Sequence, residues 1–173
     1  MSGRTAVYAL LSYAYSATYG APLPEIKKTP NGKPYFPSKP DIHFSLSHAR
    51  THVLCALSDC PVGADIESPR TISDRVANYF CSTDELAHFE PLELWVLKES
   101  YIKLIDATLP SIKHLRFSRK AGEITPPDTN AKSKLLYIGN CIAAVSTVGE
   151  APLNDVRIVE TSLLIAHSHA WRF

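Results

Sequence analysis

Apolar residues at Val7, Leu10, Leu11 and Ala14 recur at intervals of three and four, which predicts a helix over 5–18, stopped by Gly20 and Pro22. The segment 30–40 that follows is dense in proline and glycine and is basic, so it predicts a loop with short extended pieces. Strands are predicted over 42–47 and 53–57, joined through 48–52, and a third over 61–67 that Pro69 ends. Helical spacing returns over 72–80 and 83–89, with Ser82 or Thr83 as N-cap and Asp84 and Glu85 favourably placed in the first turn. The clearest helix spans 92–105, where Leu94, Trp95, Leu97, Ile102 and Ile105 make a broad apolar face, and Pro110 marks its end. Beyond it the pattern predicts a strand over 113–117, a polar loop over 121–133, a hairpin of 134–138 with 141–148 across Gly139-Asn140, and a strand near 156–160.

The order helix, strands, helices, strands predicts an α+β fold with mainly antiparallel pairing rather than a doubly wound parallel sheet. A helix precedes strands in each part of the chain, which divides it weakly into two similar halves, 1–63 and 64–173, within one compact unit. With 173 residues, 45% of them hydrophobic and 20% charged, the chain has the composition of an ordinary folded domain. Eighteen basic residues against seventeen acidic ones give a net charge of +1, so no nucleic-acid or membrane partner is expected and any anion binding must be local. Cys55, Cys60, Cys81 and Cys141 form no Cys-x-x-Cys pair and have no histidines at zinc spacing, so they read as buried free thiols. No segment approaches the roughly 18 apolar residues that span a bilayer, and the start of the chain lacks a signal pattern; a reducing cytoplasmic location is the expectation.

The candidate chemistry is local. Asp65 and Glu67 are one residue apart on a predicted strand, so strand alternation puts both carboxylates on one face, where they can share a hard cation or form a merely acidic surface. On the long helix, Glu99 and Lys103 are four apart, which suits an ordinary ion pair or, alternatively, a further carboxylate for a metal and a cation for phosphate. Ser45, Ser47, His48 and Arg50 offer hydroxyl, imidazole and guanidinium groups to an anion. Ser47 lacks the flanking glycines of a hydrolase nucleophile, and Gly32-Lys33-Pro34 is a tight basic turn without the glycine spacing of a P-loop.

These motifs occur in a fixed order: Gly32-Lys33-Pro34, Phe44-Ser45-Leu46-Ser47-His48, Gly63-Ala64-Asp65-Ile66-Glu67, and Trp95 through Lys98-Glu99 to Lys103. The series resembles the phosphopantetheinyl transferases of the surfactin-synthetase-activating type. The resemblance implies two α+β halves with coenzyme A in the cleft between them, and a holo-[acyl-carrier-protein] synthase type of reaction. In that reaction phosphopantetheine passes from coenzyme A to a serine of an acyl or peptidyl carrier protein, with Mg2+, releasing adenosine 3',5'-bisphosphate. It implies Asp65 and Glu67 as magnesium ligands, with Glu99 as third carboxylate or as base, and Glu99, Lys103 and His48 as catalytic groups. Ser47 and His48 become phosphate contacts to coenzyme A and Lys103 a pyrophosphate contact, Lys98 of the same motif counts among the coenzyme A-binding residues, Lys33 and Pro34 line the nucleotide end, and Arg4 is a further basic contact. A monomer is the corresponding expectation.

Three departures qualify the resemblance. Only Met1, Ser2 and Gly3 precede Arg4, which implies fewer basic contacts; Ile105 to Thr108 replace a Gly-x-Gly-like turn; and Ala49 stands where a serine is usual. A non-catalytic module binding coenzyme A or a carrier protein is the alternative reading, and a metal-dependent phosphohydrolase a third.

Overall fold

Helix α1 (Gly3–Tyr19) starts where the Ser2 hydroxyl accepts the Thr5 N–H and stops where Gly20 turns left-handed at φ 63°, close to the predicted limits. The structure, a computed structural model, describes residues 2–149 and 156–168, the side chains of 166–168 apart. The proline-rich loop carries two two-residue strands, β1 (Lys27–Lys28) and β2 (Pro34–Tyr35), paired with each other. Next come the antiparallel pair β3 (His43–His48) and β4 (Val53–Ser58), then β5 (Val62–Glu67). Helices α2 (Asp74–Phe80) and α3 (Thr83–Leu86) follow, the latter closed by a capping box between Ser82 and Glu85. Helix α4 (Pro91–Leu104) has proline in its first turn and Glu93 reaching back to the Glu90 N–H.

After α4 the chain departs from the predicted pattern. In place of a strand at 113–117 there is a 3₁₀ helix, Leu109–His114, started by Pro110. Leu115 and Phe117 of the predicted strand are buried without forming one, and Ile112 of the 3₁₀ turn is buried beside them. The predicted polar loop 121–133 begins instead inside a small hairpin of β6 (Ser118–Lys120) and β7 (Glu123–Thr125), turned by Ala121 and Gly122 at φ 51° and 84°. An alanine at positive φ gives no sequence signal for such a turn. The last hairpin, β8 (Ala131–Ile138) with β9 (Cys141–Val148), turns at Gly139 as predicted but begins three residues earlier. Residues 156–160 join no sheet, and an unpredicted helix α5 (Thr161–Ser168) follows.

This mixture of helices and small antiparallel sheets is α+β, as the element order predicts. Helix α1 packs on β3–β4 through Leu11, Tyr15, Phe36 and Phe44. Helix α4 packs on the sheet β5–β9–β8 through Leu94, Leu97, Tyr101 and Ala144, among others. The division at residue 63 falls inside β5, which borders both regions. Strands β3 and β5 run side by side in the same direction, joined by serine hydroxyls: Ser45 Oγ accepts the Ala64 N–H at 2.9 Å and Ser47 Oγ the Ile66 N–H at 3.3 Å. Gly63 lets α4 lie directly on β5. A Cβ there would stand 1.9 Å from the Ser100 carbonyl oxygen and 2.3 Å from the Leu104 nitrogen, both backbone atoms with nowhere to go.

Candidate active site

Three elements meet at Asp65: the end of β3, the middle of β5 and the last turns of α4. Asp65 is buried on β5, and its Oδ1 receives the Ser47 hydroxyl and the Lys103 ammonium, each at 2.7 Å. Lys103 also donates to the Ala64 carbonyl at 3.2 Å, so one lysine of α4 clamps the strand beside the carboxylate. The other carboxylate oxygen, Oδ2, is buried and has no hydrogen-bonding partner among the described residues. A buried, unsatisfied carboxylate oxygen is costly in a folded chain. Burial pushes the Asp65 carboxyl above the usual carboxylate range against the pull of Lys103 and Ser47, and Glu67 adds to the rise.

Glu67, two residues along the same strand face, accepts the Trp95 indole N–H at 3.1 Å and meets the Arg70 guanidinium at 3.3 and 3.4 Å. Glu99 lies half-buried on α4. Burial raises its carboxyl first, then the charges of Asp65 and Glu67 do, against the opposing pull of Lys103, so the three carboxylates act on one another. Among the described residues no three His, Cys, Asp or Glu side chains converge closely enough to hold a metal ion as they stand. The donor set is nonetheless all oxygen, and Asp65 Oδ2 is a bare buried oxygen; both suit a hard divalent cation.

Beside this cluster opens a cavity of about 240 Å³ lined by Lys33, Pro34, Phe44, Ser45, Lys103 and Asp106. Lys33 donates to the Leu104 carbonyl at the end of α4 (2.9 Å); burial holds its ammonium below the usual lysine range, and Asp106 opposes that shift. Asp106 takes the positive φ of 53° where the sequence lacks a glycine, held by Thr29 at 3.1 Å and by Asn31 through its carbonyl at 2.6 Å. His48 is exposed at the end of β3, with its ring 3.4 Å from where a Cβ on Gly3 would be. The start of α1, Arg4 included, therefore sits at the same edge as His48.

The expected residues thus fall into three groups: Asp65, Glu67, Glu99 and Lys103; Lys33 and Pro34 in the cavity wall at the end of α4; Arg4 and His48 at the start of α1. Two depart from expectation. Lys98 does not face the cleft: its ammonium is fully buried, 2.8 Å from Glu85, and donates to the Phe80 carbonyl. Five positions separate it from Lys103 on α4, which turns the two lysines to different sides of the helix. Ser47 does not present a free hydroxyl, because it donates to Asp65 while accepting from Ile66, so it holds the carboxylate rather than an anion. Sequence reasoning missed the parts played by Trp95 and Arg70 at Glu67 and by Gly63 under α4. The glycine's place within the Gly-x-Asp-x-Glu pattern was the available signal.

Comparison with known proteins agrees with this geometry. The family described as the 4'-phosphopantetheinyl transferase superfamily matches residues 61–146, the stretch carrying Asp65, Glu67, Glu99 and Lys103. The 4'-phosphopantetheinyl transferase psf-1 of Bacillus pumilus is 36% identical over 107 residues, 55% of this chain and 46% of that protein. The 4'-phosphopantetheinyl transferase Sfp of Bacillus subtilis strain 168 is 38% identical over 82 residues, 42% and 37% respectively. That named gsp, from Aneurinibacillus migulanus, is 38% identical over 89 residues, 46% and 37%. The chain belongs to the 4'-phosphopantetheinyl transferase superfamily. Its matches span less than half the length of these relatives.

Proposed function

We propose that this chain moves the phosphopantetheine group of coenzyme A to a serine hydroxyl of an acyl or peptidyl carrier protein, as a holo-[acyl-carrier-protein] synthase type of enzyme. The observation that carries this reading is the buried Asp65, one oxygen clamped by Lys103 and Ser47 and the other bare among the described residues, beside two further carboxylates and a cavity lined by Lys33 and Lys103. Magnesium held by Asp65 and Glu67, with Glu99 as third carboxylate, would neutralise charge on the pyrophosphate. Lys33 and Lys103 bind the anionic substrate from the cavity side, and Arg4 and His48 do so from the start of α1. The two halves, 1–63 and 64–173, hold coenzyme A between them as a pseudo-two-fold pair, and a single chain then has both sides of the site.

In the reaction the serine oxygen forms a bond to the phosphorus bearing the pantetheine arm. The bond from that phosphorus to the bridging oxygen breaks, adenosine 3',5'-bisphosphate leaves, and the serine proton passes to a base at the site. Glu99 on α4 is the group assigned to take it, through a water where the carboxylate is also on the metal. Positioning and charge neutralisation supply most of the acceleration in such phosphoryl transfers. The reducing cytoplasm, where coenzyme A and carrier proteins meet, is the setting this reading assigns.

The test is mass spectrometry of apo carrier proteins incubated with coenzyme A, magnesium and the chain. Addition of the phosphopantetheine mass is expected with at least one carrier, and Asp65→Ala, kept folded by circular dichroism, should remove it. Full modification by that variant would overturn the assignment. Tight coenzyme A binding without transfer to any carrier would favour a binding module, and release of free phosphopantetheine without a carrier would favour a hydrolase.

A further inference from the structure

Of the three carboxylates, Glu67 is the one whose two oxygens are both already occupied. Arg70 lies side-on to it, Nη2 to Oε1 at 3.3 Å and Nε to Oε2 at 3.4 Å, while Trp95 Nε1 donates to Oε1 at 3.1 Å. The same guanidinium stacks over the Trp95 ring, 5.2 Å from its centroid. Arg70 follows Pro69, whose fixed φ folds the chain back after β5 and returns the cation to the carboxylate it has just passed.

Two features mark this contact as displaceable. Its distances are at the long end for charge-assisted hydrogen bonds, and the side chains are 42% and 27% exposed. The sealed pair of Lys98 and Glu85 is the internal contrast, at 2.8 Å and 0% and 2% exposure. We infer that Arg70 is a built-in counter-ion that occupies Glu67 in the metal-free chain and must give way before the carboxylate can join Asp65 Oδ2 on a divalent cation. Trp95 is the fixed point of the exchange: its N–H holds one carboxylate oxygen in place, and its ring gives the displaced guanidinium a surface to remain on. Arg70 is then a positioning residue that sets the metal affinity by competition, and no bond is made or broken through it. This inference rests on the reading that the acidic site takes magnesium.

The experiment uses the full chain with Trp171→Phe, so that Trp95 is the remaining tryptophan, and titrates magnesium chloride in the presence of coenzyme A while following Trp95 emission. Saturable change is expected, because the guanidinium stacked on the ring moves as it leaves the carboxylate. Arg70→Gln should tighten the midpoint about two- to fivefold, the scale of an exposed ion pair, and should shrink the emission change. Arg70→Lys, which keeps a competing cation, should return the midpoint towards that of the parent. A midpoint unchanged or weakened by Arg70→Gln, with clear saturation in both proteins, overturns the competition alone. Absence of any saturable change in every variant overturns the competition and the magnesium reading together.

Discussion

Helix α4 carries two lysines that each meet a carboxylate at nearly the same distance, and the surroundings give them opposite meanings. Lys98 lies 2.8 Å from Glu85 with neither side chain reaching solvent, and Lys103 lies 2.7 Å from Asp65 with 30% of the lysine exposed. Around Glu85 every oxygen is satisfied: the Ser82 and Phe117 N–H groups donate to it at 2.9 Å besides Lys98. Burial works to raise its carboxyl, and these donors outweigh that and hold it below the usual range. Around Asp65 burial wins, one oxygen has no donor among the described residues, and the carboxyl is raised. A completed pair is part of the core; an incomplete one is a place with something left to bind.

The sealed pair should give the largest effect on folding. Replacing Lys98 by Met leaves Glu85 charged and buried without its cation, which is expected to cost about 3–5 kcal/mol of stability. Chemical denaturation measures this, and the double change Lys98→Met with Glu85→Gln should recover most of the loss, since no buried charge is then stranded. A single variant within 1 kcal/mol of the parent would place Lys98 outside the core and restore it as a candidate coenzyme A contact.

How much of this was visible beforehand differs between the two pairs. Asp65, Glu67, Glu99 and Lys103 were legible because strand alternation and helical spacing are local rules, and the order of the motifs tied the segments together. Lys98 was misassigned because a motif gives a residue's place in the chain and not the side of the helix it occupies; its partner Glu85 is 13 positions away, in a capping box that reads as purely local. Ser47 failed similarly: its hydroxyl could have served any anion, and only the parallel approach of β3 to β5 shows it taken by Asp65. The hairpin at 118–125 and the 3₁₀ helix at 109–114 lie where turns use Ala121 and Pro110 in ways that periodicity does not encode. The elements that position the site were therefore read better than the connections between them.

The open pair should separate stability from chemistry. Lys103→Gln is expected to cost only about 1–2 kcal/mol, because the lysine is partly exposed and Asp65 keeps the Ser47 hydroxyl. Carrier modification, by contrast, should fall by about a hundredfold or more, the scale for losing a cation aimed at developing charge. Thermal melts and initial rates on one preparation check both. A stability loss as large as that of Lys98→Met, with transfer lost only in proportion to unfolded protein, would erase the distinction between the pairs.

The smallest effect has the opposite sign. Burial, then the charges of Asp65 and Glu67, raise the Glu99 carboxyl, so the folded chain takes up a proton there before the unfolded chain does. The stability this group contributes is full below the unfolded value, about pH 4.3, and is lost as pH rises through the higher folded value. At pH 7 the ionised Glu99 is therefore a burden that Glu99→Gln removes. In a metal-free chain kept so with chelator, the variant should be more stable than the parent by roughly 0.5–1 kcal/mol at pH 7. The gap should close as pH falls towards 4, where Glu99 of the parent is itself neutral. Denaturant midpoints at a series of pH values read this directly. If Glu99→Gln proved less stable than the parent at pH 7, unseen donors would have to hold Glu99 as Lys98 holds Glu85, and the carboxylate would belong with the sealed pair. If the gap behaves as expected while carrier modification is lost, the open pair and its neighbours give up folding stability at the place proposed for the chemistry.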